Sequence, residues 1–141
     1  MNNDLQLALY KGKGNFYDVL VRAATLSKYS HVELVINGVC YTSSPRDNGV
    51  RSKVIDLHSG NWDVYPIEGD AQYALDFFEK EMGKPYDWLG AIKSVVPFFP
   101  NRKEKWFCSE IVAAALQLPK ARKYTPEDLY QWFCTGKTHG F

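Results

Sequence analysis

Leu5 to Tyr10 is apolar with one polar break at Gln6, the pattern of a buried strand, and Lys11-Gly12-Lys13-Gly14 ends it. Phe16, Val19, Leu20, Ala23 and Ala24 then recur at helical spacing, which predicts a helix over 16–26. From His31 to Ile36 polar and apolar residues alternate, as in a half-buried strand. Asn37-Gly38 supplies the two positive-φ positions of a type I′ turn, and Val39 to Ser43 returns as the paired strand. Ser44 to Gly49 has the composition of a loop. Val50 to Ile55 and Trp62 to Ile67 read as two further strands with a turn around Ser59-Gly60-Asn61, which together with the hairpin predicts a small antiparallel sheet.

The period changes at Asp70. Tyr73, Leu75, Phe77, Phe78 and Met82 make a helical face, stopped by Gly83 and Pro85. A second helix is expected over 86–96, closed by Pro97, and a third over 107–116, ended before Pro119. Thr125-Pro126-Glu127-Asp128 has the form of a helix start: a hydroxyl cap, proline in the first turn, then acids facing the helix dipole. That helix should run to about Phe133. With no internal repeat and no low-complexity linker, the reading is one α+β domain over residues 1–141, a small antiparallel sheet packed against helices.

Composition narrows the partners. The chain has 141 residues, 45% hydrophobic and 15% aromatic, which is enough to bury a core and argues against disorder. Seventeen basic and sixteen acidic side chains leave a charge of +1, so no general attraction to nucleic acid or anionic lipid is expected. Arg102, Lys103 and Lys105 read as a solvated loop. No stretch is long and apolar enough for membrane insertion, and the N-terminus lacks the marks of a signal peptide, so a cytoplasmic location is expected. Cys40, Cys108 and Cys134 cannot all pair with one another. None lies in a Cys-x-x-Cys arrangement, so neither a zinc site nor a disulfide framework is predicted, and free thiols are the default.

One of those thiols is placed for chemistry. A cysteine nucleophile acts as its thiolate, which a helix N-terminus and a neighbouring imidazolium both favour. Cys108 precedes the helix-forming run Glu110 to Leu116; the alternative for it is a buried cysteine beside Trp106 and Phe107. Among the histidines, His139 lies in a tail and His58 in a turn, whereas His31 opens a strand that could hold an imidazole rigidly towards a helix end. Such a pair works better when a third group orients the ring. Glu33 shares the face of its strand with His31 and could hold the tautomer strongly; its alternative is an exposed carboxylate on a sheet edge. Tyr41, Thr42 and Ser43 lie on the paired strand, where a hydroxyl such as that of Thr42 would hold it weakly.

Three runs occur in order: Tyr29-Ser30-His31-Val32-Glu33-Leu34-Val35, Gly83-Lys84-Pro85-Tyr86-Asp87-Trp88-Leu89-Gly90, and Phe107-Cys108-Ser109-Glu110-Ile111-Val112. In this order, with His before Cys, the chain resembles the permuted NlpC-like papain-fold proteins, which include YiiX-like bacterial proteins, phage-encoded relatives and the lecithin retinol acyltransferase family. The resemblance covers Leu5 to about Phe133. It implies a circularly permuted papain-like fold, in which Cys108 starts a late helix against a sheet carrying His31. It implies a third polar position on the strand after the histidine strand. That position falls near Thr42 or Ser43, where this chain has hydroxyls and no His or Glu. Either Glu33 takes the role from the histidine's own strand, or the site is a dyad. The resemblance further implies that Tyr86 and Asp87 build the cleft wall; for Tyr86, Trp88 and Leu89 plain helix-to-sheet packing is the alternative. Tyr10, at the end of the first strand, is a further candidate for the same cleft by its position.

The function expected on these grounds is a cysteine hydrolase acting on an amide or ester carbonyl through an acyl-enzyme, without a metal or other cofactor. Its substrate would be a peptide, as in cell walls, or a small acyl-bearing molecule, as in lipid esters. If the chain is phage-encoded, it would act in the host cytoplasm. The alternative is a catalytically idle binding module or inhibitor on the same fold, using Trp62, Trp106 and Trp132 as contact anchors. A nucleic-acid binder is the reading that the charge balance disfavours.

Overall fold

In the computed structural model, which describes residues 4–12, 28–86 and 106–135, five strands share one antiparallel sheet. They are β1 (Leu5–Tyr10), β2 (His31–Ile36), β3 (Val39–Ser44), β4 (Gly49–Lys53) and β5 (Trp62–Pro66), in the order β4-β3-β2-β1-β5. The interior strand β1 pairs with β2 from Leu5↔Ile36 to Tyr10↔His31, and with β5 from Gln6↔Pro66 to Tyr10↔Trp62. Both its faces are covered, which is why it reads as a nearly continuous apolar run rather than an alternation. Leu5, Leu7 and Leu9 join Val32, Leu34 and Ile36 in the main core. Ala8 meets Val35 and Cys40 on the opposite face, beneath Ile55, Leu57, Trp62 and Val64. Because side chains alternate along a strand, His31 and Glu33 share this second face with Val35.

Turn chemistry sets the registers. Asn37 and Gly38 have φ of 52° and 84°, as a type I′ turn needs, and Ile36 pairs with Val39 across it. A second Asn-Gly step, Asn48-Gly49, returns the chain into β4. Gly49 has φ 146°, and a side chain there would strike the Lys84 carbonyl. That close approach lets Val50 N–H donate to Lys84 O at 2.9 Å and Gly83 N–H donate to Val50 O at 3.1 Å. The start of β4 is thereby fastened to the segment that leads on to Tyr86.

Among the described residues three helices follow: α1 (Ala71–Glu81), α2 (Cys108–Ala115) and α3 (Pro126–Cys134), with a 3-10 turn at Ala121–Lys123. Asp70 caps α1 by accepting from Tyr73 N–H at 3.0 Å. Thr125 and Asp128 close a reciprocal capping box at α3, with 3.1 and 2.9 Å bonds, and Pro126 stands in the first turn. The core on this side of the sheet gathers Phe78, Ile111, Val112 and Leu129. No helix among the described residues is long and apolar enough to cross a membrane.

The α+β class and the antiparallel sheet packed against helices are as expected. Three details differ. The strand expected over 50–55 ends at Lys53, because its partner Cys40 is one residue from the start of β3, and Val54 is 77% exposed. The strand expected to reach Ile67 ends at Pro66. The buried stripe of α1 is Ala71, Ala74, Phe78 and Glu81, whereas Tyr73 and Met82 are exposed. Of the larger residues assigned to its inner face, Phe78 is fully buried, Leu75 and Phe77 are partly buried, and only Tyr73 and Met82 point outward. The helix expected over 16–26, and that over 86–96 apart from Tyr86, lie outside the described residues.

Candidate active site

His31 is held by its strand and by the segment just before it. Ser30 N–H donates to Tyr10 O at 3.0 Å, continuing the β1 pairing past the strand end. The Tyr29 hydroxyl donates to Asp63 Oδ2 at 2.6 Å, and Lys11 Nζ donates to Asp63 Oδ1 at 2.8 Å, so the entrance to β2 is tied to β5 and to the end of β1. On the second face the His31 ring meets Trp62 edge-on, 6.4 Å between centroids, and Trp62 in turn packs on Tyr10 at 5.1 Å. The imidazole side chain keeps 14% of its surface exposed.

Nε2 of His31 lies 2.6 Å from Glu33 Oε2. Glu33 is fully buried, so its charge needs partners, and it has two. Arg51, on β4, donates from one terminal nitrogen to Oε1 and from the other to Oε2, both at 2.7 Å. Nε of Arg51 donates to Asp47 Oδ2 at 2.8 Å. Burial alone would raise the Glu33 pKa, but His31 first and Arg51 second bring it below the ordinary carboxylate value.

Cys108 is delivered from the other side of the sheet. Trp106 N–H donates to Pro85 O at 3.1 Å, and the Ser43 hydroxyl of β3 donates to Trp106 O at 2.7 Å. The residue two before the cysteine is thus pinned to the sheet. Phe107 caps α2 without a side-chain bond to the helix amides, while its own N–H donates to Glu110 Oε1 at 3.0 Å. The Ser109 hydroxyl donates to Tyr124 O at 2.6 Å and ties the first turn to the segment before α3. Cys108 is therefore the first residue of the helix, and its side chain lies near enough to His31 for the sulfur to act on the charge of the ring. With Nε2 taken by Glu33, Nδ1 is the ring nitrogen left for the sulfur. Burial opposes a charged His31, but the Cys108 sulfur and the Glu33 carboxylate raise its pKa to about 10. All three cysteines are free; burial pushes Cys40 and Cys134 each up to about 11.

The structure thus brings Cys108, His31 and Glu33 together. The hydroxyls weighed against Glu33 are engaged elsewhere: Thr42 is fully buried and donates to Val32 O at 2.8 Å, and Ser43 serves Trp106. Tyr86 is 1% exposed, its ring against Phe107, and packs in the core rather than facing an open surface. Tyr10 is half-buried one strand away from His31, and Asp87 lies outside the described residues. Arg51 is the site residue that sequence reasoning passed over. A signal existed, since a carboxylate on an inward face requires a counter-charge, and Arg51 lies in the strand predicted next along the chain. Among the described residues no group of three His, Cys, Asp or Glu side chains is gathered as a metal would need.

Chemically, a thiol at a helix start beside an imidazole that a buried carboxylate orients can form a thiolate–imidazolium pair and attack a carbonyl carbon. No protein-family model matches the sequence, and no curated protein is significantly similar to it.

Proposed function

We propose that this chain is a cysteine hydrolase of the permuted papain-like kind, acting on an amide or ester carbonyl. The observation that carries the reading is the His31–Glu33 pair at 2.6 Å, a base with its orienting carboxylate, next to Cys108 at a helix N-terminus whose sulfur acts on the His31 charge. His31 takes the Cys108 proton, and the sulfur attacks the carbonyl carbon. The Cys108 backbone N–H, in the first turn of the helix, is the donor assigned to the developing oxyanion. His31 returns the proton to the leaving amine or alcohol, and an acyl-enzyme remains. Water, deprotonated by His31, then releases the acid and restores the thiol. The order of the elements, histidine strand first and cysteine helix late, supports the permuted arrangement. Peptide amides of the cell-wall type are the preferred substrates, with short acyl esters as the second class.

The test is intact-mass and peptide-mapping spectrometry after brief exposure to activated acyl esters and to a panel of cell-wall peptides. The expected outcome is a transient acyl mass on Cys108, absent in Cys108→Ser, and fast iodoacetamide labelling at about pH 6 that His31→Ala slows at least about tenfold. His58→Ala should leave that labelling unchanged. Labelling of Cys108 no faster than that of Cys134, with no acyl adduct, would overturn the reading and leave a binding module on this fold.

A further inference from the structure

We propose that Arg51 is a positioning residue of this site, whose guanidinium holds the Glu33 carboxylate ionised and fixed in the orientation that accepts from His31. The role rests on the hydrolase reading above, but the geometry behind it is independent of any substrate. Both terminal nitrogens of Arg51 meet the two carboxylate oxygens at 2.7 Å, a planar two-point grip that only an arginine provides. Oε2 is shared, with Arg51 on one side and His31 Nε2 at 2.6 Å on the other, so the guanidinium fixes the carboxylate that fixes the ring.

The surroundings show how Arg51 is itself held. It stands opposite Thr42 in the β3–β4 register and reaches across β3 to β2, with its side chain only 16% exposed. Asp47, in the turn before β4, holds Nε at 2.8 Å and also faces Lys53 at 3.8 Å. The titratable groups around Glu33 are therefore His31 on its own strand, Cys40 from β3, Arg51 from β4 and, through His31, Cys108 from α2. Arg51 is the only fixed cation among these described groups, and it is the one that balances a fully buried carboxylate. Without it, Glu33 takes up a proton or turns away, and His31 loses its acceptor.

The sign of one measurement separates this role from the others. A cation that merely sat near His31 would disfavour the imidazolium, so removing it would raise the ring's titration midpoint. A residue with a purely structural role would leave the midpoint where it is. A residue that keeps Glu33 ionised and in place gives a fall. The experiment is an NMR titration of the His31 ring in the wild-type chain, Arg51→Lys, Arg51→Met and Asp47→Asn, with fold checked by circular dichroism. The expected result is a midpoint lowered by about one pH unit or more in Arg51→Met, less in Arg51→Lys, and slightly in Asp47→Asn. An unchanged or raised midpoint in folded Arg51→Met overturns the proposal. If that variant does not fold, an unchanged midpoint in both Arg51→Lys and Asp47→Asn overturns it instead. A lowered midpoint in a chain that forms no acyl-enzyme would overturn the hydrolase reading alone. Acylation of the wild-type chain with an unmoved midpoint would overturn the Arg51 role alone.

Discussion

Glu33 and Thr42 are the residues where competing roles meet. Glu33 accepts from His31 at 2.6 Å, and Thr42 donates to a backbone carbonyl at 2.8 Å, so the two should respond differently to substitution. Glu33→Gln keeps the shape but places a neutral amide between a guanidinium and an imidazole, where its NH2 group cannot accept from either. Turnover on an activated ester should fall by about tenfold or more, since a displaced or wrongly protonated ring loses most of general-base catalysis, which is itself worth roughly 10²–10⁴-fold. Thr42→Val should cost stability, leaving the Val32 carbonyl without its donor, but change turnover less than threefold on the order-of-magnitude scale of such losses. Steady-state rates of the two variants decide the matter, and the reverse ranking would move the orienting role to the hydroxyl strand.

At the scale of elements, the cysteine and the histidine come from different faces and meet because the start of α2 is pinned to β3. Ser43 is the pin, fully buried and bonded at 2.7 Å to the Trp106 carbonyl. Ser43→Ala leaves that carbonyl without its side-chain donor, at a cost of about 1–3 kcal/mol. Thermal denaturation should show the loss. If the pin also sets the approach of Cys108 to His31, iodoacetamide labelling of the folded variant should slow several-fold while Cys134 labels as before. Wild-type labelling in a destabilised variant would mean that the Pro85 contact and the Tyr124 contact of Ser109 suffice to place the helix. The other side of α2 is braced by Arg122, which lies 4.0 Å above the Trp106 ring and 3.4 Å from Glu110.

For the whole molecule, the buried ionic cluster ties folding to pH. Glu33 has a folded pKa below its ordinary 4.5, so its stabilising contribution is present above that value and is lost as pH falls through the lowered one. His31 has a folded pKa raised from 6.5 to about 10, so its contribution is complete below 6.5 and is lost as pH rises towards 10. Both contributions are therefore in force between those ordinary values, and stability should decline on either side. Glu33→Gln removes the first contribution and one source of the second. Urea unfolding across a pH series should accordingly give a flatter profile on both limbs for this variant than for the wild type. Parallel profiles would show that the cluster does not couple to folding.

Local chemistry carried much of this fold in readable form. Asn37-Gly38 named its own turn because few dipeptides accept two positive φ values, and Thr125-Pro126-Glu127-Asp128 named a helix start because each residue satisfies a need of that end. The pairing of His31 with Glu33 was legible too, since a two-residue spacing on a strand puts both on one face whatever the rest of the chain does. The inner face of α1 was legible only in part, at Phe78. Hydrophobicity nominated Tyr73 and Met82, but the packing distance selected Ala71 and Ala74, and that distance is a property of the assembled layers. Nor could spacing alone choose between Glu33 and the hydroxyls of Thr42 and Ser43. That choice depended on which polar groups the folded backbone left in need of partners, and the Val32 and Trp106 carbonyls claimed the hydroxyls. Arg51 and Cys108 reach His31's neighbourhood from β4 and from α2, across strand order and sheet face. One-dimensional patterns record periodicity and turn chemistry; the meeting of residues far apart in the chain is decided only when the sheet and helices close on a common core.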